Sequence, residues 1–110
     1  KCRRSNETMD RSVIWADAAV SDLESIAEYI ARDSKVYAAA FLQRVLEATR
    51  SLADQPEMGR WAPELRDEMT RELFIHSYRL VYRLSKNRVD IVAIIHGRRD
   101  FSSAWKEKER

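Results

Sequence analysis

The feature that most constrains the fold is a change in hydrophobic periodicity at residues 55–63. This segment, Gln-Pro-Glu-Met-Gly-Arg-Trp-Ala-Pro, holds both prolines and one of the two glycines of the chain, and such residues interrupt helices and strands. Before it, apolar residues recur at helical spacing. After it, they alternate with a period of two. The segment is therefore predicted to be a loop between a helical half and a sheet half, as in an α+β domain.

The helical half predicts a short strand followed by a helix hairpin. Residues 12–16 are mostly β-branched or aromatic and favour a strand. A first helix is predicted with Asp17 as its N-cap, and a second from near Ser34 to a point before Pro56. The short link makes the two helices antiparallel neighbours. The apolar positions of the second helix, predicted to face the core, are Phe41, Leu42, Val45, Leu46, Thr49 and Leu52.

The sheet half predicts three strands, at residues 70–75, 78–85 and 89–96, with links short enough for an antiparallel meander. In the middle strand, Arg79 and Arg83 alternate with apolar and aromatic residues, so they are predicted to lie on a face open to solvent. The residues predicted to face the helices are Tyr78, Leu80, Tyr82 and Leu84.

The predicted fold class is α+β with element order β-α-α-β-β-β. In this fold an antiparallel two-helix hairpin packs on one face of a small, mainly antiparallel sheet. Residues 12–105 are predicted to form a single domain. Residues 1–11 are interpreted as a disordered leader or vector-derived sequence, and residues 106–110 as a charged tail.

Composition narrows the class of protein. Of the 110 residues, 45% are hydrophobic, which excludes a disordered chain. The longest apolar run, residues 36–42, is far shorter than the roughly 20 residues that cross a bilayer. The single cysteine excludes an internal disulfide and a Cys-rich metal site. We expect a soluble cytoplasmic domain that binds no membrane, no metal and no cofactor.

The net charge of +2 conceals an asymmetry along the chain. Residues 12–70 carry six basic and eleven acidic side chains, whereas residues 71–110 carry ten basic and five acidic ones. A basic second half indicates an anionic partner, which is either nucleic acid or an acidic polypeptide. Charge alone does not choose between them.

The basic half contains the candidate functional residues. Arg79 and Arg83 share a strand face and are suited to holding a phosphate, and Arg98 and Arg99 add charge beyond the last strand. His96 is suited to general acid–base chemistry, because the ordinary pKa of histidine is about 6.5. The alternative is that the arginines serve solubility and that His96 only bonds to its neighbouring turn.

Three motifs resemble the RelE/ParE superfamily of toxins from toxin–antitoxin pairs. They are Pro-Glu-Met-Gly-Arg at 56–60, Arg-Glu-Leu-Phe-Ile-His-Ser-Tyr-Arg-Leu-Val-Tyr-Arg at 71–83, and Ile-Ile-His-Gly-Arg-Arg-Asp at 94–100. The resemblance covers residues 12–101, and the last motif is most similar to the ParE branch. RelE-like members cut messenger RNA on the ribosome, whereas ParE-like members are associated with inhibition of DNA gyrase. The shared fold does not decide the activity.

The resemblance implies a ParE-like toxin that inhibits replication by binding gyrase. One alternative is a metal-independent, ribosome-dependent endoribonuclease, with Arg79 holding a phosphate of the messenger RNA and His96 as acid or base. Another is a non-toxic relic that binds only antitoxin. Family nucleases also use a tyrosine, histidine or acidic group near the C-terminus. This chain has no tyrosine after Tyr82, which favours inhibition by contact.

The resemblance also implies a cognate ParD-like antitoxin that neutralises the toxin in a hetero-oligomer. Predicted contacts with the target or with phosphate are Arg79, Arg83, Arg98 and Arg99. Predicted contacts with the antitoxin are Leu23, Tyr29, Phe41, Arg71 and Arg83.

Overall fold

The computed structural model describes residues 12–61 and 69–97. Within them, two helices pack on one face of a five-stranded sheet with strand order β1-β5-β4-β3-β2. The predicted α+β fold is confirmed, whereas the predictions for residues 1–11 and 98–110 lie outside the described residues. The elements are β1 (Ser12–Trp15), α1 (Asp17–Asp33), α2 (Lys35–Asp54), β2 (Arg60–Trp61), β3 (Thr70–Ile75), β4 (Tyr78–Leu84) and β5 (Arg88–His96).

Ser34 alone links the two helices. Its backbone N–H donates to the carbonyl oxygen of Ile30 at 2.9 Å, which closes α1, and its hydroxyl oxygen accepts from the N–H of Tyr37 at 3.1 Å, which caps α2. The prediction of Asp17 as the N-cap of α1 is wrong, because Ala16 occupies the cap position without a side-chain bond. Asp17 is the first helical residue, where its charge favours the positive end of the helix dipole.

The sheet is antiparallel except at one edge. β1 runs parallel to β5, with Trp15 opposite Ile91. Between these two strands the helix hairpin leads the chain to β2 at the far edge, and the antiparallel strands bring it back beside β1. β3, β4 and β5 form the predicted meander. Its first turn contains His76 in the left-handed region, at a φ of 56°.

The prediction of a loop throughout residues 55–63 is wrong at its centre, because residues 60–61 form β2. This short strand pairs with β3 and places Arg60 opposite Glu72. Contacts from distant residues, described below, hold the preceding turn against the sheet. A pairing only two residues long leaves no periodicity in the sequence, which explains why the pattern indicated a loop.

The core lies between the helix hairpin and the sheet. Leu46 is not part of it: this side chain is 47% exposed, although the predicted stripe of α2 included it. The buried positions of α2 follow a narrower stripe through Phe41, Val45 and Leu52, and Leu46 projects beside it. The buried residues of the core are Ala19, Phe41, Val45, Leu52, Ile75, Leu80, Tyr82, Val89, Ile91 and Ile94.

The sheet face opposite the helices, which we call the outer face, is less open than predicted. Val81 and Ala93, which pair on this face, are fully buried. The Arg79 side chain is only 17% exposed. It does not extend into water, because its guanidinium group contacts the carboxylate of Glu72 and the ring of Phe74 on β3.

Candidate functional site

The outer face carries a buried carboxylate that is shared by two arginines from different strands. The side chain of Glu72 on β3 is 0% exposed. One of its oxygens accepts from Arg60 Nε at 2.8 Å, and the other accepts from Arg79 Nη1 at 3.4 Å. Burying a carboxylate costs several kcal/mol unless cations and hydrogen bonds compensate it. The two guanidinium groups supply this compensation and leave the cluster with one net positive charge.

Phe74 completes this group of four residues, which we call the Glu72 cluster. The Cζ atoms of Arg60 and Arg79 lie over its ring, 5.6 and 5.3 Å from the ring centroid, within the range of cation–π attraction. Phe74 is 50% exposed, and the Arg60 side chain is 65% exposed. The cluster thus has a buried base, formed by Glu72 and most of Arg79, and an exposed top, formed by Arg60 and Phe74.

Tyr82 fixes the turn that delivers Arg60 to the cluster. Its hydroxyl donates to the carbonyl oxygen of Pro56 at 2.8 Å and accepts from the N–H of Gly59 at 2.9 Å. Position 59 requires glycine, because a Cβ atom there would lie 2.6 Å from the Tyr82 oxygen and 2.7 Å from the Glu72 carbonyl oxygen. Arg71 adds a bond from its Nη1 to the Gly59 carbonyl oxygen at 2.8 Å.

The structure does not bring His96 and Arg79 together. Arg79 is on the outer face, whereas His96 pairs with Tyr78 on the helix face and contacts its ring edge to face, with centroids 5.3 Å apart. His96 lines a groove of about 250 Å³ beside α1, where the Asp22 carboxylate accepts the N–H of Ile94 at 3.0 Å. The two residues predicted to act together in a nuclease therefore lie on opposite faces of the sheet.

The remaining predicted target contacts are only partly placed by the structure. Arg83 lies on the outer face, opposite Asp90 of β5, and is exposed. Arg98 and Arg99 lie outside the described residues. Arg79 and Arg83 therefore share a face as predicted, but only Arg79 joins the Glu72 cluster.

The five predicted antitoxin contacts do not share one surface. Tyr29 is 63% exposed near the end of the helix hairpin, whereas Phe41 is buried in the core. Leu23 packs against the core, and Arg71 is occupied in holding the turn before β2. Arg83 lies on the opposite side of the sheet from the helices.

Sequence analysis missed Arg60, Glu72 and Phe74 as members of a site. Arg60 lies in a segment predicted to be a loop, and Glu72 is an acidic residue in a strand otherwise interpreted only by its apolar alternation. The sequence did indicate one part of this site: residues 72 and 74 are two positions apart in a strand, so their side chains lie on the same face of β3. These two residues could be interpreted as part of a site only once the structure showed that β2 places Arg60 beside them.

Within residues 12–61 and 69–97, no group of three or more His, Cys, Asp and Glu side chains is arranged to hold a metal ion. Neither of the described helices is long and apolar enough to cross a membrane.

Two solved structures from toxin–antitoxin systems have the same fold. The chromosomal ParDE system of P. aeruginosa contains a chain that superposes with a TM-score of 0.65 at 20% identity, covering 80% of this chain and 97% of that one. The RelBE2 toxin–antitoxin complex of Mycobacterium tuberculosis gives a TM-score of 0.54 at 24% identity, covering 79% and 98%. At these identities the likeness shows the fold.

Sequence comparison shows the family. The family model described as ParE toxin of type II toxin-antitoxin system, parDE, matches residues 13–101. Toxin RelE2 of Caulobacter vibrioides is 33% identical over 87 residues, which cover 79% of this chain and 96% of the relative. Fold and sequence thus place the chain in the RelE/ParE superfamily of toxins. Within it, the chain belongs to the ParE toxin family of type II toxin–antitoxin systems.

Proposed function

We propose that this protein is a toxin that inhibits DNA gyrase by direct contact and is neutralised by a cognate ParD-like antitoxin. The observation that carries the proposal is the separation of Arg79 and His96 onto opposite faces of the sheet. Inhibition by contact requires a complementary surface, and the exposed top of the Glu72 cluster supplies one. As gyrase acts on chromosomal DNA, the proposed site of action is the cytoplasm.

A ribonuclease that works without a metal needs an acid or base beside the group that holds the phosphate. In the described part of the outer face, the carboxylate nearest to Arg79 is Glu72. Both of its oxygens already accept from guanidinium groups, and its side chain is fully buried. It therefore has no access to a ribose hydroxyl. His96, the histidine predicted to serve as base, lies on the helix face.

A messenger RNA endoribonuclease remains the second candidate, because a relative with 33% identity carries the name Toxin RelE2. Arg79 also lies in the Tyr-Arg-Leu-Val-Tyr-Arg motif at 78–83. Its position matches that of the arginine with which RelE-like nucleases hold a phosphate. This candidate requires that His96 take part in cleavage, or that a residue outside the described ranges does so.

Two assays on the purified protein separate these candidates. We expect it to inhibit supercoiling by purified gyrase and to leave messenger RNA intact in a translating extract. Arg79→Ala should weaken inhibition at least tenfold, whereas Arg32→Ala, which removes an exposed arginine from α1, should not. His96→Ala should inhibit gyrase as strongly as the parent.

The opposite pattern would refute the proposal. If the parent cleaves messenger RNA at ribosomes, has no effect on gyrase, and loses cleavage on His96→Ala substitution, the protein is a nuclease. If expression of the parent leaves growth unchanged and neither assay responds, the protein is a relic that only binds antitoxin.

A further inference from the structure

We propose that Arg60 and Phe74 form the surface that contacts gyrase, that they receive an acidic segment containing apolar side chains, and that Glu72 is the positioning residue that aims Arg60. The inference rests on the proposed function, because it takes the target to be a protein bound by contact. It adds the contact residues, the chemistry of the segment they accept, and a role for a buried carboxylate.

The surface around Arg60 has the composition of a protein interface. Phe74, which lies beside Arg60 on the outer face, is 50% exposed, and Met69, in the turn before β3, is 44% exposed. Arginine, tryptophan, phenylalanine and methionine are the residues enriched at such interfaces. Met58 and Trp61 are also exposed, but they lie on the helix side of the sheet, because Trp61 pairs with Arg71 and Met58 lines a groove with residues of α2.

Glu72 gives Arg60 a fixed direction. Arg60 Nε donates to the buried carboxylate at 2.8 Å, and its guanidinium group lies over Phe74. A free arginine side chain loses rotamer freedom on binding, whereas one already held in place loses less. Arg79 supports Glu72 and Phe74 from the buried side of the cluster, because it contacts both residues and is itself mostly buried. The cluster is therefore preorganised before a partner arrives.

The geometry favours a carboxylate of a protein over a nucleic acid. Nucleic-acid surfaces combine a track of several cations with aromatic faces on which bases stack. Here both guanidinium groups lie over the Phe74 ring, so the ring is already engaged by cations. The cluster has one net positive charge. A single guanidinium fork beside apolar surface suits a Glu or Asp side chain with an apolar neighbour.

The first test measures the affinity of the full chain for purified gyrase. Arg60→Ala and Phe74→Ala should each weaken binding about tenfold or more. The matched control is Arg88→Ala, which removes an exposed arginine that also pairs with a carboxylate, Asp90, outside the cluster. The control should change affinity less than twofold. Equal affinities for Arg60→Ala and Arg88→Ala would overturn the proposal.

The second test isolates the positioning role of Glu72. Glu72→Gln should weaken gyrase binding as much as Arg60→Ala, and the double variant should be no weaker than either single variant. The Arg60 Nε–H signal in NMR spectra should move and broaden in Glu72→Gln, whether or not gyrase is present. Additive losses, or an unchanged Arg60 signal, would show that Glu72 acts only on stability.

A third test uses probes that do not depend on gyrase. A short blocked peptide of alternating Glu and Leu should shift the Arg60 Nε–H and Phe74 ring signals of the full chain. The same peptide with Gln in place of Glu should leave them in place. If gyrase does not bind but the Glu peptide acts as expected, the proposed function fails and the site stands. If both peptides act alike, or only a short oligouridylate shifts these signals, the site assignment fails.

Discussion

Tyr82 is the residue through which the core and the site are joined. Its ring is buried beneath the helices, while its hydroxyl holds the backbone of Pro56 and Gly59 in the turn before Arg60. The period-two pattern predicted that Tyr82 faces the core, and this is confirmed. The pattern could not predict the hydrogen bonds of the hydroxyl group, because the two residues that it bonds lie 26 and 23 residues earlier in the chain.

The pKa of Tyr82 gives a prediction for how the stability of the fold depends on pH. Burial raises the pKa of Tyr82 above its ordinary value of 10.0, although the Gly59 hydrogen bond and the Arg71 charge oppose the shift. Burial, with a smaller contribution from Tyr29, also raises the pKa of Tyr78. Above pH 10 the unfolded chain therefore loses tyrosine protons that the folded chain keeps. This contribution is complete below pH 10 and is lost as pH rises through the folded-state pKa.

We expect the free energy of unfolding to fall as pH rises above about 10, by at most about 1.4 kcal/mol per pH unit for each tyrosine. Urea denaturation across this range measures it. Tyr82→Phe should be less stable at pH 8, because two hydrogen bonds are lost, yet its stability should decline less steeply with pH. Parallel curves for the two proteins would contradict the assignment to Tyr82.

Glu72 shows where residue-level prediction stops. Alternation along β4 placed Arg79 and Arg83 on the same face, as observed, but it assigned them equal exposure. The difference arises because only Arg79 reaches Glu72 and Phe74. An acidic residue in a strand is normally exposed, and its burial here requires Arg60 from a strand that has no periodic signal.

At the scale of elements, the helices and the meander were predictable because their signals are local. Helical and period-two spacing located α1, α2 and the three strands of the meander to within one or two residues. β2 was not predictable, because a pairing of two residues is stabilised by Tyr82 and Arg71, which follow it in the chain. The outer face was predicted to be open for a related reason. Alternation assigns each side chain to a face of the sheet, but it does not show which side chains of neighbouring strands contact it there.

The corrected stripe of α2 gives an element-scale prediction. Leu52→Ala should lower the free energy of unfolding by about 2–5 kcal/mol, because Leu52 is fully buried and its removal leaves a cavity. Leu46→Ala, the matched control on the same helix, should cost less than about 1 kcal/mol, because Leu46 is 47% exposed. Chemical denaturation of both variants measures the difference. Equal losses would show that α2 packs through a different face.

At the scale of the whole molecule, charge is divided between the two layers. α1 carries five acidic residues and one basic residue, whereas residues 70–97 carry five basic and two acidic ones. The exposed apolar residues at the end of the helix hairpin are separate from Phe74, which lies on the outer face of the sheet. Tyr29, Val36 and Tyr37 lie at the hairpin end, with a groove of about 290 Å³ between Tyr37, Phe41 and Tyr78. Further exposed apolar side chains of the described residues, Ile14, Val20 and Leu46, belong to neither of these two regions.

This separation predicts that antitoxin and gyrase depend on different side chains. We expect the antitoxin to fold an amphipathic helix onto the hairpin and to extend an acidic segment towards the basic sheet. Tyr29→Ala should therefore weaken antitoxin binding about tenfold and leave gyrase inhibition unchanged, whereas Phe74→Ala should weaken gyrase inhibition more than antitoxin binding. Titration calorimetry with the product of the neighbouring gene, and supercoiling assays, measure the two effects.

The charge division predicts the kinetics of the same complex. Because the acidic segment is steered by the basic sheet, the association rate should fall as salt rises from about 50 mM to 500 mM, where screening shortens the range of attraction. Arg83→Gln, which removes an exposed charge from the outer face, should lower the rate at low salt and reduce this dependence. Stopped-flow mixing measures both rates, and circular dichroism measures the gain of helix. A complex that forms without gaining helix, at a rate independent of salt, would contradict this arrangement.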